Sequence, residues 1–280
     1  MSVQSEPLSA NDLAPPSAPA LNARANLLRD RSLRLVLGLL GLVVLLAAWW
    51  LGTDVLARPD SFAARFSPTA TLPALGELLK GSDLPLHVMV SLRRVLVGLA
   101  IALALGVPIG ILVGTSRFAE AATTPAFQFL RMISPLSWMP VAVMVFGVGD
   151  APIYFLIAFA TIWPIMLSTA AGVRALDPQW LLLSRSLAAT RWETLSRIVI
   201  PGILGHVLTG ARLAIGIAWI ILVPCEMLGV SAGLGYFILD TRDRLAYPEL
   251  MATILIIGLI GFALDSLARA LVRRFAPGQA

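Results

Sequence analysis

Three ionisable side chains stand inside otherwise apolar stretches of the sequence: Arg131, Arg212 and Glu226. Ionisable groups at membrane depth are costly and are usually paired or turned toward water, so each is a candidate for handling a charged cargo. An arginine facing a central pathway suits an anion, whereas a glutamate there suits coupling to an ion. The plainer reading for the arginines is an interhelical bond to a backbone carbonyl. Arg212 and Glu226 share nearly one helical face but lie about 21 Å apart along the axis at ~1.5 Å per residue, so they do not pair with each other. Other chemistry is thin. His87 and His206 have no second ligand at metal spacing, so no metal site is expected. No Gly-Lys-Ser/Thr phosphate loop occurs, and Cys225, the one cysteine, reads as a packing residue.

The backbone around these groups is interrupted. Pro135 and Pro140 break the apolar run LRMISPLSWMPVAVMVFG, each removing an internal hydrogen bond, and Pro164 sits similarly in the next run. Broken helices at membrane depth are tolerated where they line a cavity or are buried in protein. Ser134, Ser137, Trp138 and Met139 are therefore candidates for lining a pathway, with a shape-giving kink as the alternative. Gly98, Ala102, Gly106, Gly110 and Gly114 recur at every fourth residue. That stripe makes a smooth face against which another helix can approach, and its reading is packing.

Composition sets the surroundings. With 58% hydrophobic and 13% charged residues in 280, the chain has too little polar surface to coat a soluble globule. A membrane span needs about 20 mainly apolar residues. Candidates fall at about 33–51, 92–114, 126–148, 152–172, 202–228 and 251–271, which gives an all-α membrane protein of six transmembrane helices. Placing both termini in the cytoplasm puts Arg24, Arg29, Arg31, Arg34, Arg117, Arg174, Arg185, Arg191, Arg197, Arg269, Arg273 and Arg274 inside. The basic residues on the other side are diluted by acidic ones, as the positive-inside rule requires. The net charge of +5 is spread over short loops rather than one stripe, so no nucleic-acid partner is expected. Residues 1–32 read as a disordered cytoplasmic tail, 33–51 as the first span, 52–86 as a periplasmic connection, 87–275 as the core and 276–280 as a cytoplasmic end.

A polar hairpin interrupts that core at 177–200. Asp177 followed by Pro178 is an N-cap with proline at the first helical position, and Thr190 with Glu193 spells a capping box. Two short helices follow, the first from Pro178 to about Leu187. Trp180, Leu183 and Leu187 fall on one side of it while Arg185, Arg191 and Arg197 keep the segment basic. The result is an apolar knob with a cationic rim, suited to a soluble partner.

The order of spans, this hairpin and the string IVIPGILGHVLTGARLAIGIAWIILVPCEMLG resemble the permease subunits of ATP-binding cassette importers. SLRRVLVGLAIALALGVPIGILVG, ISPLSWMPVAVMVFGVGDAPIYF and WPIMLSTAAGVRALDP resemble the nitrate/sulfonate/taurine-type branch, from about Leu72 to Phe275. The resemblance implies a type I importer fold in which the hairpin is a coupling helix docked on a separate ATPase. The family's Glu-Ala-Ala triplet is replaced by Leu182, Leu183 and Ser184, Ala188 stands where glycine is usual, and Ile198, Val199, Ile200 and Pro201 close the motif. The implied ATPase contacts are Leu182, Leu183, Ser184, Arg185, Leu187, Ala188 and Trp192, without the ionic contact the glutamate would make.

The same resemblance implies a transport subunit of the bacterial inner membrane rather than an enzyme. ATP and magnesium would be bound by the partner ATPase, not by this chain. The other partners are a periplasmic or lipid-anchored solute-binding protein, a second copy of this permease, and membrane lipid. EMLGVSAGLGYFILDTRD and GLIGFALD resemble the nitrate- and bicarbonate-type permeases more than the sulfonate ones. A small anion is the expected cargo: nitrate-like first, then taurine or an alkanesulfonate, or bicarbonate. The alternative from another class is an ion-coupled secondary transporter using the broken span and Glu226. A membrane-embedded enzyme is disfavoured, because no His, Asp or Cys cluster gathers near one leaflet.

Overall fold

A computed structural model describes residues 33, 36–58, 61–81 and 83–275; the tail at 1–32 and the end at 276–280 lie outside the described residues. Every regular element among them is helical. Two units divide at Thr69 and Ala70. In the first, α1 (Val36–Val55) is a span-length apolar helix whose last turn, Leu51–Val55, widens to π geometry. The Trp49 indole N–H donates to the Phe66 carbonyl at 2.9 Å, tying α1 to the 3-10 turn Phe62–Phe66.

The second unit holds the remaining helices. They are α2 (Pro68–Gly81, whose first residues belong to the first unit), α3 (Leu84–Thr115), α4 (Arg117–Met132), α5 (Met139–Phe146) and α6 (Asp150–Arg174). They continue as α7 (Pro178–Ser186), α8 (Arg191–Thr194), α9 (Ile200–Glu226), α10 (Leu234–Asp243) and α11 (Tyr247–Phe275). A π turn, Leu195–Val199, joins α8 to α9, so that Arg191–Glu226 is a single helical run of 36 residues. Among the described residues, five helices are long and apolar enough to cross a membrane, and α4 with the segment Pro135–Phe146 makes a sixth if the pair is one span.

That pair departs from a simple span at 126–148. α4 ends at Met132, and the chain turns by 87° before Pro135–Phe146. Pro135 opens a short 3-10 turn, Pro135–Trp138, which feeds α5 with Pro140 in its first turn, a position where proline needs no donor. Pro164, by contrast, lies inside an uninterrupted α6. The second span also starts earlier than residue 92, because Leu84 and Pro85 open α3 about two turns upstream.

α6 is the centre of the unit, with α3 on one flank and α9 on the other. Between α3 and α6 there is no room for side chains at the small-residue stripe. A Cβ placed on Gly98 would lie 2.5 Å from Ile157 Cγ2, on Gly106 3.1 Å from Ile165 Cγ2, on Gly110 2.6 Å from the Met166 carbonyl, and on Gly114 2.7 Å from Val173 Cβ. Lipid tails are as apolar as leucine, so such backbone approach and the dispersion contacts it allows hold the helices together. Three buried layers follow along the bundle. Val173, Val199 and Ile203 pack at the hairpin end, Leu99, Ala102, Ile165 and Ala214 at mid-height, and Val95, Ile153, Leu156, Ile157, Leu222 and Leu234 at the far end.

Candidate functional site

The hairpin is built by the local signals in its sequence. Asp177 Oδ1 accepts from the Gln179 N–H at 2.8 Å, capping α7. Thr190 Oγ1 accepts from the Glu193 N–H at 3.2 Å while Glu193 Oε2 accepts from the Thr190 N–H at 2.8 Å, which completes the capping box of α8. Those bonds from the Thr190 backbone and hydroxyl hold the Glu193 carboxyl below the usual carboxylate range. Between the helices, the Ala188 N–H donates to the Arg185 carbonyl and the Ala189 N–H to the Ser184 carbonyl, a Schellman closure. Its left-handed residue is Ala188, with φ of +54°, at the position where a glycine is usual.

This frame turns its apolar side chains outward. Leu182, Leu183, Leu187 and Trp192 are 59%, 49%, 72% and 71% exposed, and Trp180 and Arg185 are exposed as well. Ser184 differs: it is buried inside the hairpin, its hydroxyl bonded to the Leu181 carbonyl and facing Thr194 Oγ1 at 3.4 Å. Ser184 holds the two helices together rather than contributing to the outer face.

At the opposite end of the bundle lies an ion network that sequence reasoning missed. Glu226, the last residue of α9, is fully buried, and Arg94 of α3 is 3% exposed. Arg94 Nη1 donates to Glu226 Oε1 at 2.7 Å and to the Ala232 carbonyl at 2.6 Å; its Nε and Nη2 donate to Asp150 Oδ1 at the start of α6 at 2.9 and 2.6 Å. Arg93 pairs with the other oxygen of Asp150. Ser91 Oγ lies 2.8 Å from both oxygens of Glu226 and accepts the Leu234 N–H at 2.8 Å. The Gly235 N–H donates to Glu226 Oε2 at 2.9 Å, and the Gly233 N–H to His87 Nδ1 at 3.0 Å. Gly233 has φ of +122°, and a Cβ there would lie 2.5 Å from Arg94 Nη1. Only glycine lets the loop after α9 fold over the ion pair. Glu226 therefore faces these partners and not open space, and His87 is the acceptor for a loop amide.

The remaining candidates scatter. Arg212 is 39% exposed, with Nε 3.3 Å from Asp265 Oδ1 of α11, which also pairs with Arg269 at 2.8 Å. Met139 is buried in the far-end layer. Trp138 packs on Phe159 with ring centroids 5.6 Å apart, and its buried indole N–H has no hydrogen-bond partner among the described residues. Ser134 and Ser137 are exposed at the bend. Arg131 is exposed near the end of α4 and lines a cavity of about 140 Å³ between α4 and α6.

The described helices, several of them long and apolar enough to span a membrane, are bolted together at one end by a buried ion network and offer an exposed apolar hairpin at the other. The profile described as the binding-protein-dependent transport system inner membrane component matches residues 106–278, and the chain belongs to that family. It is 37% identical over 177 residues to the bicarbonate transport system permease protein CmpB of Synechococcus elongatus, a match that covers 62% of this chain and 63% of that protein, just under two thirds of its length. It is 31% identical over 245 residues to the nitrate import permease protein NrtB of the same organism, covering 84% and 88%. Identity to the taurine transport system permease protein TauC of Escherichia coli is 33% over 191 residues, covering 68% and 70%. In fold it matches a chain of the inward-facing MetNI methionine ABC transporter with a TM-score of 0.57 at 14% identity, covering 74% of this chain and 97% of that one.

Proposed function

We propose that this chain is the membrane-spanning permease subunit of an ATP-driven importer for a small anion, working as a homodimer with two ATPase subunits and one solute-binding protein. The observation that carries the reading is the outward apolar face of the hairpin, where Leu183, Leu187 and Trp192 are held out of the bundle by two capped helices. Exposed apolar side chains rimmed by charge mark a docking surface. The arginine distribution supports a cytoplasmic position for that end, on the side where the partner ATPase would bind ATP and magnesium. The cleft of about 700 Å³ at the far end, bordered by Asp83, Tyr236 and Asp240, then opens to the periplasm and receives the binding protein.

Relatives named for bicarbonate, nitrate, taurine and, by provisional assignment, aliphatic sulfonates support an anionic cargo; the nitrate and sulfonate matches cover most of both chains about equally, and nitrate is the first anion to test. Glu226, which an ion-coupled carrier would need to load and unload, is already engaged by Arg94, Ser91 and Gly235. The test is ATPase activity of this chain co-purified with its neighbouring ATPase in nanodiscs, with the neighbouring binding protein added empty or loaded with nitrate, bicarbonate or taurine. Stimulation by one loaded form supports the importer and names its cargo. Absence of any ATPase association overturns the reading.

A further inference from the structure

α4 is strongly amphipathic, and four of its polar side chains fall on one line: Glu120, Thr124, Gln128 and Arg131, at i, i+4, i+8 and i+11. All four line the cavity of about 140 Å³ against α6, where Trp163, 8% exposed, forms part of the opposite wall. Glu120 is paired with Arg174, the last residue of α6, at the hairpin end. Arg131 lies about 16 Å further along α4 at ~1.5 Å per residue, and among the described residues it has no hydrogen bond or ion pair. Gln128, one turn from it, has none either. Both residues are exposed at the rim of the cavity, so their donors are open to a ligand that enters it.

We propose that this cavity is a stopping place for a small oxyanion on its way to the cytoplasm, with the Arg131 guanidinium and the Gln128 amide as its donors. The proposal rests on the anion-importer reading above and names the part of the chain that holds the anion. The positive charge and N–H donors at this position suit the oxygens of a nitrate, bicarbonate or sulfonate group, and a lysine ammonium there keeps both the charge and donors. The volume is well under the ~300–1,000 Å³ of pockets for drug-sized ligands, which fits an anion of a few heavy atoms. The carboxylate bordering the same cavity, Glu120, is neutralised by Arg174, so its repulsion of an anion is reduced.

The test is uptake of labelled nitrate, bicarbonate and taurine into proteoliposomes holding the complete complex. Wild type, Arg131→Gln, Arg131→Lys and Arg117→Gln are compared after each is shown to elute with its ATPase as a monodisperse complex. Arg117 begins the same helix but does not line the cavity. The expected result is a loss of at least tenfold in uptake for R131Q, recovery to within about threefold of wild type for R131K, and wild-type uptake for R117Q. Uptake by R131Q equal to wild type, or equal losses in R131Q and R131K, overturns the proposal while leaving the importer intact. A wild-type complex that moves none of the three anions overturns the importer reading itself, and the proposal with it.

Discussion

Arg94 and Glu226 are 132 residues apart in sequence and 2.7 Å apart in space, both nearly sealed from solvent. The pair joins α3 to the end of α9, and Asp150 brings the start of α6 onto the same guanidinium. Removing one partner strands a buried charge, which commonly costs about 3–5 kcal/mol. Glu226→Ala and Arg94→Ala are each expected to lower the unfolding temperature of the detergent-solubilised chain sharply, and the double variant to lose less than the sum. Additive losses in that double-mutant cycle would mean that the two residues do not act as a pair.

The glycine stripe on α3 is expected to show graded sensitivity. Gly110→Ala pushes a methyl against the Met166 carbonyl, which is backbone and cannot step aside, whereas Gly106→Ala meets the Ile165 side chain at 3.1 Å. Overpacking of this kind costs about 1–3 kcal/mol. Thermal unfolding should rank G110A below G106A, with G216A, which meets nothing within 4 Å, close to wild type.

Ala188 holds a left-handed backbone at the hairpin closure, a conformation that costs a residue with a Cβ about 1–2 kcal/mol. Ala188→Gly is expected to relieve most of it. Hydrogen exchange at the Ala189 amide, which is bonded to the Ser184 carbonyl, should slow several-fold in the variant.

The capping box of α8 is expected to be pH-dependent in a defined direction. The folded-state pKa of Glu193 is lowered, so its contribution is complete above the ordinary carboxylate pKa and is lost as pH falls through the lowered folded value. Exchange protection at the hairpin should therefore fall on acidification in wild type. Glu193→Gln, which keeps an acceptor but does not titrate, should remove that dependence.

Charge on the outer hairpin face should break docking without breaking the fold. Leu183→Asp and Leu187→Asp alter exposed side chains, so the permease is expected to insert and elute normally while its ATPase is lost from the purified complex. ATPase retention by both variants would move the contact elsewhere on this end of the bundle.

What the sequence made legible was local. Asp177, Thr190 and Glu193 signal their caps within three residues, and the four-residue repeat from Gly98 announces a packed face whatever the partner helix is. The ion network was illegible for the opposite reason. Arg93 and Arg94 sit where a hydropathy reading places the edge of a span, and nothing nearby in sequence says that Arg94 turns inward to meet a glutamate on another helix. Pro135 and Pro140 announced a break but not its 87° angle, while Pro164 sits inside a helix that continues through it. Proline states that one hydrogen bond is missing; neighbouring packing decides whether the chain turns there.

The unbroken run from Arg191 to Glu226 makes the hairpin's second helix one end of a rod about 54 Å long at ~1.5 Å per residue. A tilt of about 10° around its midpoint carries the two ends about 5 Å in opposite directions. A tilt of that size driven from near Trp192 would arrive at Glu226 as a displacement larger than the 2.7 Å bond that Arg94 makes there. The far-end contacts would then either travel with the rod or break whenever it tilts that far.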